Sequence, residues 1–415
     1  MPVAVGAGVV AGTTRLWPGL AVWENIDEAV ASSSVLLGPL LAGLAAWEGM
    51  RLRRAALGGR WVLSTRGALG PAPVLMIVTV VAVGAYVACA GLIALPLAGH
   101  ATAGGPNLLV IAAGGIGVIT HSVLGLLAGF AAPFFLVPAV AALAAYVIDL
   151  AFILGGGAVN PRVAALGPAT QQVAFPFVDV NAAFVGAQLV VQLGAAGVLA
   201  AIALTVAAKR VGWGSLAVVA VSGAVAAAGG FAATTMPSGF HLPARKPVFS
   251  CSMYGELEVC VHPAFEVASA PLAEAFEPVR ARLAGTRLGF DRVELSYRGP
   301  GAHATTDSTL MVVFDDLSEG WQDRAVAESA VNLMLGEFPN TPCAATKVVD
   351  YESAYWGGAA VVALWVAGVD DADLDPQFEA AQSWFLHLGD DERTAWIDAH
   401  TESLCAGTVR PSDFG

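Results

Sequence analysis

Charged side chains are scarce in this sequence. Only 13% of its 415 residues are Asp, Glu, Lys or Arg, whereas 56% are hydrophobic. The mean hydropathy of +0.68 is too high for a soluble protein of this length. Residues 1–239 contain six acidic and nine basic residues, and residues 240–415 contain the other 27 acidic and 11 basic residues. We therefore expect a membrane domain over 1–239 and a globular domain over 240–415. The strong negative charge of the globular domain disfavours nucleic acid and anionic lipid head groups as its partners.

Several catalytic motifs are absent as well. No two histidines have the H-E-x-x-H spacing, which places two zinc ligands and a general base on one helix face. There is no G-x-S-x-G nucleophile elbow and no G-x-x-x-x-G-K-[ST] phosphate loop. The sequence therefore predicts no enzymatic activity, no cofactor and no metal site, and the chain alone does not hydrolyse ATP in the usual way.

Apolar segments dominate the first domain. A segment needs about 20 residues to cross a hydrocarbon core of about 30 Å. Six segments meet this length, and they centre on 30–50, 71–97, 107–129, 133–154, 182–208 and 214–236. The apolar stretch Met1–Gly12 is about half a span long, and we interpret it as the end of a helix whose beginning lies outside this reading frame.

Basic residues in short loops predict the orientation, because they stay on the cytoplasmic side. They follow the first span or separate the last two: Arg51, Arg53, Arg54, Arg60, Arg66, Lys209 and Arg210. With these loops inside, counting the spans places everything after Met236 outside. The prediction is a multi-pass protein of the plasma membrane with its C-terminal domain outside.

Four of the five cysteines lie in the second domain, where an oxidising exterior favours disulfides. Cys251 and Cys260 flank a Tyr-Gly turn signal between two strand-like segments, so a disulfide across a hairpin is geometrically easy. By elimination, Cys343 pairs with Cys405. A four-cysteine zinc site is the alternative, although no pair has the C-x2-C spacing.

Polar residues inside spans are candidates for function because burying them in hydrocarbon is costly. These residues are Glu48, His121, Asp149, Gln188 and Gln192. Glu48 is followed by arginines and can form an ion pair at a helix end. His121 and Asp149 lie deeper on neighbouring spans joined by a tight Ala-Ala-Pro turn, and such a pair either holds structure or lines a path. Gln188 and Gln192 share a helix face and either join two helices or bind cargo.

The second domain has mixed strand and helix signals, which indicate an α+β fold. Two short strands come first, and a helix then begins at Ser269. Its inward stripe contains Leu272, Phe276, Val279 and Leu283. A second helix, Gln322–Phe338, is predicted to bury Ala327, Val331, Met334, Leu335 and Phe338. The order of elements resembles a metallopeptidase scaffold without the zinc motif. The apolar run 354–369 is interpreted as a buried helix rather than a further span.

Two groups of residues carry a resemblance to a known family. One is Trp23 with the helix Leu37–Gly49, "LGPLLAGLAAWEG", and the arginine-rich segment after it. The other is Val259-Cys260-Val261-His262-Pro263 together with Trp384 and Arg393-x-x-Trp396-Ile397-x-x-His400. Both resemble ABC-2-type permease-like proteins of high-GC actinobacteria.

The resemblance implies the permease subunit of an ABC-type exporter, with a separate ATP-binding subunit and a homodimer or heterodimer of permeases in membrane lipid. It assigns contact with the ATPase to Arg51, Arg53, Arg54, Arg60 and Arg66. The equally weighted alternative is that these arginines only fix the topology. The cargo is a peptide, a lipid or an antibiotic. The alternative is a membrane-anchored sensor or interaction protein whose outer domain binds a ligand. A membrane-tethered hydrolase is disfavoured by the missing catalytic spacing.

Overall fold

The computed structural model describes residues 1–57, 72–132, 134–159, 167, 180–208, 213–236, 249–295, 308–312, 317–335, 357–369 and 376–415. The chain contains two compact units. The first unit comprises Met1–Leu16 and Ala21–Pro243, and the second comprises Trp17–Leu20 and Ala244–Gly415. The main division therefore lies near the predicted boundary after residue 239.

Helices make up the described part of the first unit. They are α1 Pro2–Thr13, α2 Trp23–Ser32, α3 Ser34–Leu57, α4 Ala72–Ala98, α5 Leu108–Ala131, α6 Val137–Val159, α7 Ala182–Ala208 and α8 Trp213–Thr235. Five described stretches are long and apolar enough to cross a membrane: Trp23–Arg54, Ala72–Ala98, Leu108–Ala131, Ala182–Val206 and Leu216–Thr235. These lengths and compositions are those of a multi-pass membrane protein.

The loops at one end of the first unit are hydrogen bonded to each other. The N–H of Thr102 donates to the carbonyl of Ala21 at 2.9 Å, and the N–H of Trp23 donates to the carbonyl of Ala103 at 3.2 Å. The start of α2 and the segment after α4 therefore lie at the same end, as alternating spans require.

Glycines allow α3 and α5 to pack closely. A Cβ atom at Gly125 would overlap the carbonyl oxygen of Ala42, and one at Gly129 would overlap that of Ala46. Small residues let helix backbones approach each other in membranes, where lipid provides no hydrophobic drive for association. This close contact positions the polar residues described below.

The second unit contains a four-stranded mixed sheet in the order β1 Ser250–Tyr254, β2 Leu257–Val261, β3 Arg292–Leu295 and β4 Thr309–Val312. β1 and β2 form an antiparallel hairpin, whereas β3 is parallel to both β2 and β4. The hairpin turn contains Gly255, which has a φ of +65° that only glycine adopts without strain. The two predicted strands are therefore present.

Helices cover this sheet. α9 spans Ser269–Leu283 and connects β2 to β3, and its four predicted inward residues are at most 2% exposed. α10 spans Trp321–Leu335, α11 Gly358–Ala367, α12 Glu379–His387 and α13 Asp390–Ala406. α11 is short and mostly buried, which fits a core helix of this unit rather than a span. The segment Trp17–Leu20 belongs to the same unit, where the ring of Trp17 stacks on Phe265.

The predicted inward face of α10 is wrong. Ala327 and Val331 are only half-buried, whereas Ala325, Ser329 and Leu333 are at most 3% exposed. The helix packs against β4, α9, α11 and α13, so several neighbours set its buried face, which includes Ser329. The side chains of Met334, Leu335 and Phe338 lie outside the described residues.

Candidate functional site

The deepest polar contact in the described part of the first unit joins α5 to α6. Nε2 of His121 lies 3.1 Å from Oδ1 of Asp149, and the two side chains are 1% and 0% exposed. The contact has the distance of a hydrogen bond but not its alignment, and neither ring nitrogen nor carboxyl oxygen has a hydrogen-bond partner among the described residues. The sequence placed these two residues on neighbouring helices, and the structure brings them into contact.

Gly38 of α3 makes room for the imidazole of His121. A Cβ atom at this position would lie 2.5 Å from Nδ1 of the ring. The hydroxyls next to the ring in sequence do not bond to it, because Thr120 donates to the carbonyl of Ile116 and Ser122 to that of Val118. Three helices therefore enclose a His and Asp pair that keeps unused hydrogen-bonding capacity.

Acidic residues of α2 form a second buried polar region, which sequence reasoning missed. Asp27 is 3% exposed, and its Oδ2 accepts the backbone N–H of Asn107 at 2.7 Å. Asn107 is the N-cap of α5, so the carboxylate of Asp27 lies at the positive end of that helix. The available signal was the occurrence of Glu24, Asp27 and Glu28 within a stretch that is otherwise apolar enough to be a span.

The two glutamines of α7 have different environments. Both are buried, as their position on one helix face suggests. Nε2 of Gln192 donates to the carbonyl of Gly167 at 2.9 Å. No described residue bonds to the amide of Gln188. Gln192 is therefore bonded to Gly167, whereas the amide of Gln188 has no hydrogen-bond partner among the described residues.

Glu48 and the arginines lie at the end of α3. Glu48 pairs with Arg51 at 2.8 Å, and both side chains are about half exposed or more, at 46% and 62%. Arg53 donates to the carbonyl of Val206 in α7 at 3.4 Å. Arg54 lies in the last turn of the helix. Two further candidates for ATPase contact, Arg60 and Arg66, lie outside the described residues.

The predicted disulfide of the hairpin is confirmed. Cys251 and Cys260 are directly opposite each other in the β1–β2 register and are covalently joined. Together with Glu258 they are the described His, Cys, Asp or Glu side chains close enough to share a metal ion. Sulfurs joined in a disulfide are not thiolate ligands. Cys405 is also disulfide-bonded, and its predicted partner, Cys343, lies outside the described residues.

Charge pairs surround the hairpin in the second unit. Arg292 on β3 binds Glu258 at 2.9 Å and Glu294 at 3.0 Å, and the Glu294 side chain is only 1% exposed. On α9, Arg280 donates hydrogen bonds to Glu277, which lowers the pKa of that carboxyl. The Arg292–Glu258 contact joins β3 to β2, and the Arg280–Glu277 contact lies in the second half of α9.

The described histidines of the second unit do not form a ligand set. Nδ1 of His262 accepts the N–H of Ala264, and burial lowers the pKa of this ring. The ring of His400 stacks on Trp396 at 4.3 Å. Both histidines thus take part in packing and turn structure. His303 lies outside the described residues.

Comparison with known proteins gives no relative. No protein-family model, curated protein or solved structure matches the chain.

Proposed function

We propose that this chain is the transmembrane permease subunit of an ABC-type exporter that carries a peptide, a lipid or an antibiotic. The membrane unit has six spans in this proposal, with α6 as the fourth. The arginine-rich end of α3 lies in the cytoplasm, and the disulfide-bonded domain lies outside. A separate ATP-binding subunit supplies the energy, and two permease chains form the pathway.

The observation that supports transport best is the polar interior of the membrane unit. His121, Asp149 and Gln188 are each at most 1% exposed in predominantly apolar helices, and Asp27 of α2 is 3% exposed. Helices that only anchor a domain do not require such groups, whereas pathways for ions and polar cargo do. The exporter class itself rests on the resemblance of the α3 segment and the hairpin segment to ABC-2-type permeases.

The position of the arginines supports a cytoplasmic docking surface. The Arg51 side chain is 62% exposed, and Arg54 follows it by one turn at the same end of α3. An ATPase subunit that binds there would contact both. Arg15 provides a matched control, because it lies between α1 and α2, at the end that we place outside.

Co-purification tests this proposal. A tagged chain is expressed in its native host, extracted in mild detergent, and its partners are identified by mass spectrometry. We expect a stoichiometric ATP-binding subunit, which is lost or weakened in the Arg51→Gln/Arg54→Gln variant and retained in Arg15→Gln. If the chain purifies alone under conditions that preserve known complexes, the exporter proposal is wrong and the sensor alternative replaces it.

A further inference from the structure

His121 and Asp149 lie near the middle of their helices. At about 1.5 Å per residue, His121 is about 20 Å from the start of α5 and about 15 Å from its end. Asp149 is about 18 Å from the start of α6 and about 15 Å from its end. Since the hydrocarbon core is about 30 Å thick, both side chains lie near the centre of the membrane.

The titratable groups Asp27, Tyr86 and Glu48 of the surrounding helices lie at other depths. Asp27 of α2 binds the backbone at Asn107, about 21 Å from His121 along α5. The hydroxyl of Tyr86 in α4 donates to Ile111, about 15 Å from His121. Glu48 of α3 is paired with Arg51 at the far end of that helix.

The remaining groups of the packed helices do not neutralise the pair. They are Glu24 and Glu28 of α2, Arg53 and Arg54 of α3, Cys89 of α4 and Tyr146 of α6. Cys89 donates to the carbonyl of Val5, and Tyr146 is 39% exposed. α7 has no titratable residue. Among the described residues, no charged side chain other than its partner pairs with either His121 or Asp149.

The charge of the pair depends on a single proton. A neutral imidazole beside an ionised carboxylate has a net charge of −1, and one added proton makes the pair neutral on whichever group it resides. A net charge in an apolar interior is strongly disfavoured, whereas a neutral pair is tolerated. Enclosure of the pair by the three helices therefore favours its neutral, protonated state, and access of water favours release of the proton.

We propose that His121 and Asp149 form a proton-binding site of the membrane unit, which holds one proton when enclosed by α3, α5 and α6 and releases it when water reaches the pair. This goes beyond the exporter proposal, because it concerns the chain alone and needs no ATPase subunit.

The geometry of the contact supports exchange over a fixed structural bond. Buried polar groups that serve only structure are normally hydrogen bonded. Here both ring nitrogens and both carboxyl oxygens lack such bonds among the described residues. Gly38 lies beside Nδ1 and has no side chain. On that side, Nδ1 is therefore covered by backbone alone.

Infrared spectroscopy of the full chain in lipid nanodiscs tests the site. In spectra recorded from acid to alkaline pH, we expect the carbonyl band of protonated carboxyl groups to weaken as the pH rises. Asp149→Asn should remove one component of this band, whereas Asp27→Asn, at a second buried carboxyl group, should leave that component in place. His121→Gln should shift its midpoint by about one pH unit or more, which corresponds to a tenfold change in proton affinity. Glu48→Gln should leave that component and its midpoint unchanged.

A second measurement follows the imidazole. Nitrogen-15 labelling of histidine reports ring protonation, and the His121→Gln variant identifies the His121 signal among the seven histidines. Because the site binds one proton, the fractions found on the ring and on the carboxyl group should add up to one proton. The proposal is overturned if neither group changes protonation between acid and alkaline pH, because the pair is then a fixed contact. It is also overturned if the carboxyl band titrates identically with and without His121.

Discussion

Gly38→Ala should destabilise the membrane unit through the imidazole of His121. The added methyl group would lie 2.5 Å from Nδ1, 3.1 Å from Cγ and 3.2 Å from Cε1 of the ring. Carbon atoms in good contact are about 3.5–4.0 Å apart, so the ring or the helix must move. The ring is 1% exposed and has Asp149 on its other side. Overpacking of this kind costs about 1–3 kcal/mol.

Gly84→Ala is the matched control. Gly84 lies inside α4, and a Cβ atom there would have no neighbour within 4 Å. Alanine is favoured over glycine in helices by up to about 1 kcal/mol, so this variant should be as stable as the wild type or slightly more stable. Both variants are compared by unfolding in mixed micelles, followed by circular dichroism.

A double-mutant cycle identifies the cause of the loss. In a His121→Ala background the ring is absent, and Gly38→Ala should cost about 1–2 kcal/mol less than in the wild type. The reasoning is refuted if Gly38→Ala is as stable as Gly84→Ala, or if its cost is the same with and without the ring.

Three further predictions concern charges elsewhere in the chain. Asp27→Ala removes the carboxylate at the start of α5 and should cost about 1 kcal/mol in the micelle assay, whereas Asp27→Asn keeps an acceptor and should lose less. Arg292→Gln removes the cation beside Glu294, which is buried, and should destabilise the second unit by about 3–5 kcal/mol in thermal unfolding of the full chain; a loss within error would contradict the buried pair. Arg280→Gln removes the hydrogen bonds that lower the pKa of Glu277. The stability that comes from a lowered carboxyl pKa is fully present above the ordinary pKa and is lost as the pH falls through the lowered pKa. The small difference in Tm between this variant and the wild type should therefore disappear between about pH 7 and about pH 3. A Tm difference that persists in acid would show that the Arg280–Glu277 contact is not its cause.

Local sequence patterns predicted the elements whose structure depends mainly on residues close together in the sequence. The Tyr-Gly turn predicts the β1–β2 hairpin, and the spacing of cysteines on either side of it predicts their disulfide. In α9, Leu272 and Phe276 lie on one helical stripe, and both are fully buried. The lengths of the apolar runs likewise predict the five spans that the described residues contain, because the thickness of the membrane sets them.

Contacts between distant elements were not predictable in the same way. The sequence shows Asp27 as a charged residue near the start of a helix. Its burial follows from the packing of α2 against its neighbours, including the N-terminus of α5. The missing hydrogen bonds of His121 and Asp149 depend on how α3 packs against the imidazole ring at Gly38. In α10, four neighbouring elements decide which face is buried, and the sequence period alone predicted Ala327 and Val331, which are only half-buried.

The exporter proposal depends most on the orientation of the membrane unit. It requires the disulfide-bonded domain to lie outside and the arginine-rich end of α3 to lie inside. Labelling with a membrane-impermeant maleimide in intact cells tests this arrangement directly. Glu256→Cys places a thiol on the hairpin turn, where the side chain is 82% exposed, and Arg51→Cys places one at the end of α3. Cys89, the free cysteine of the described residues, is buried, so the wild-type chain serves as the blank. We expect the Glu256→Cys variant to be labelled in intact cells and the Arg51→Cys variant only after permeabilisation. The reverse pattern, or equal labelling of both variants in intact cells, would contradict the account.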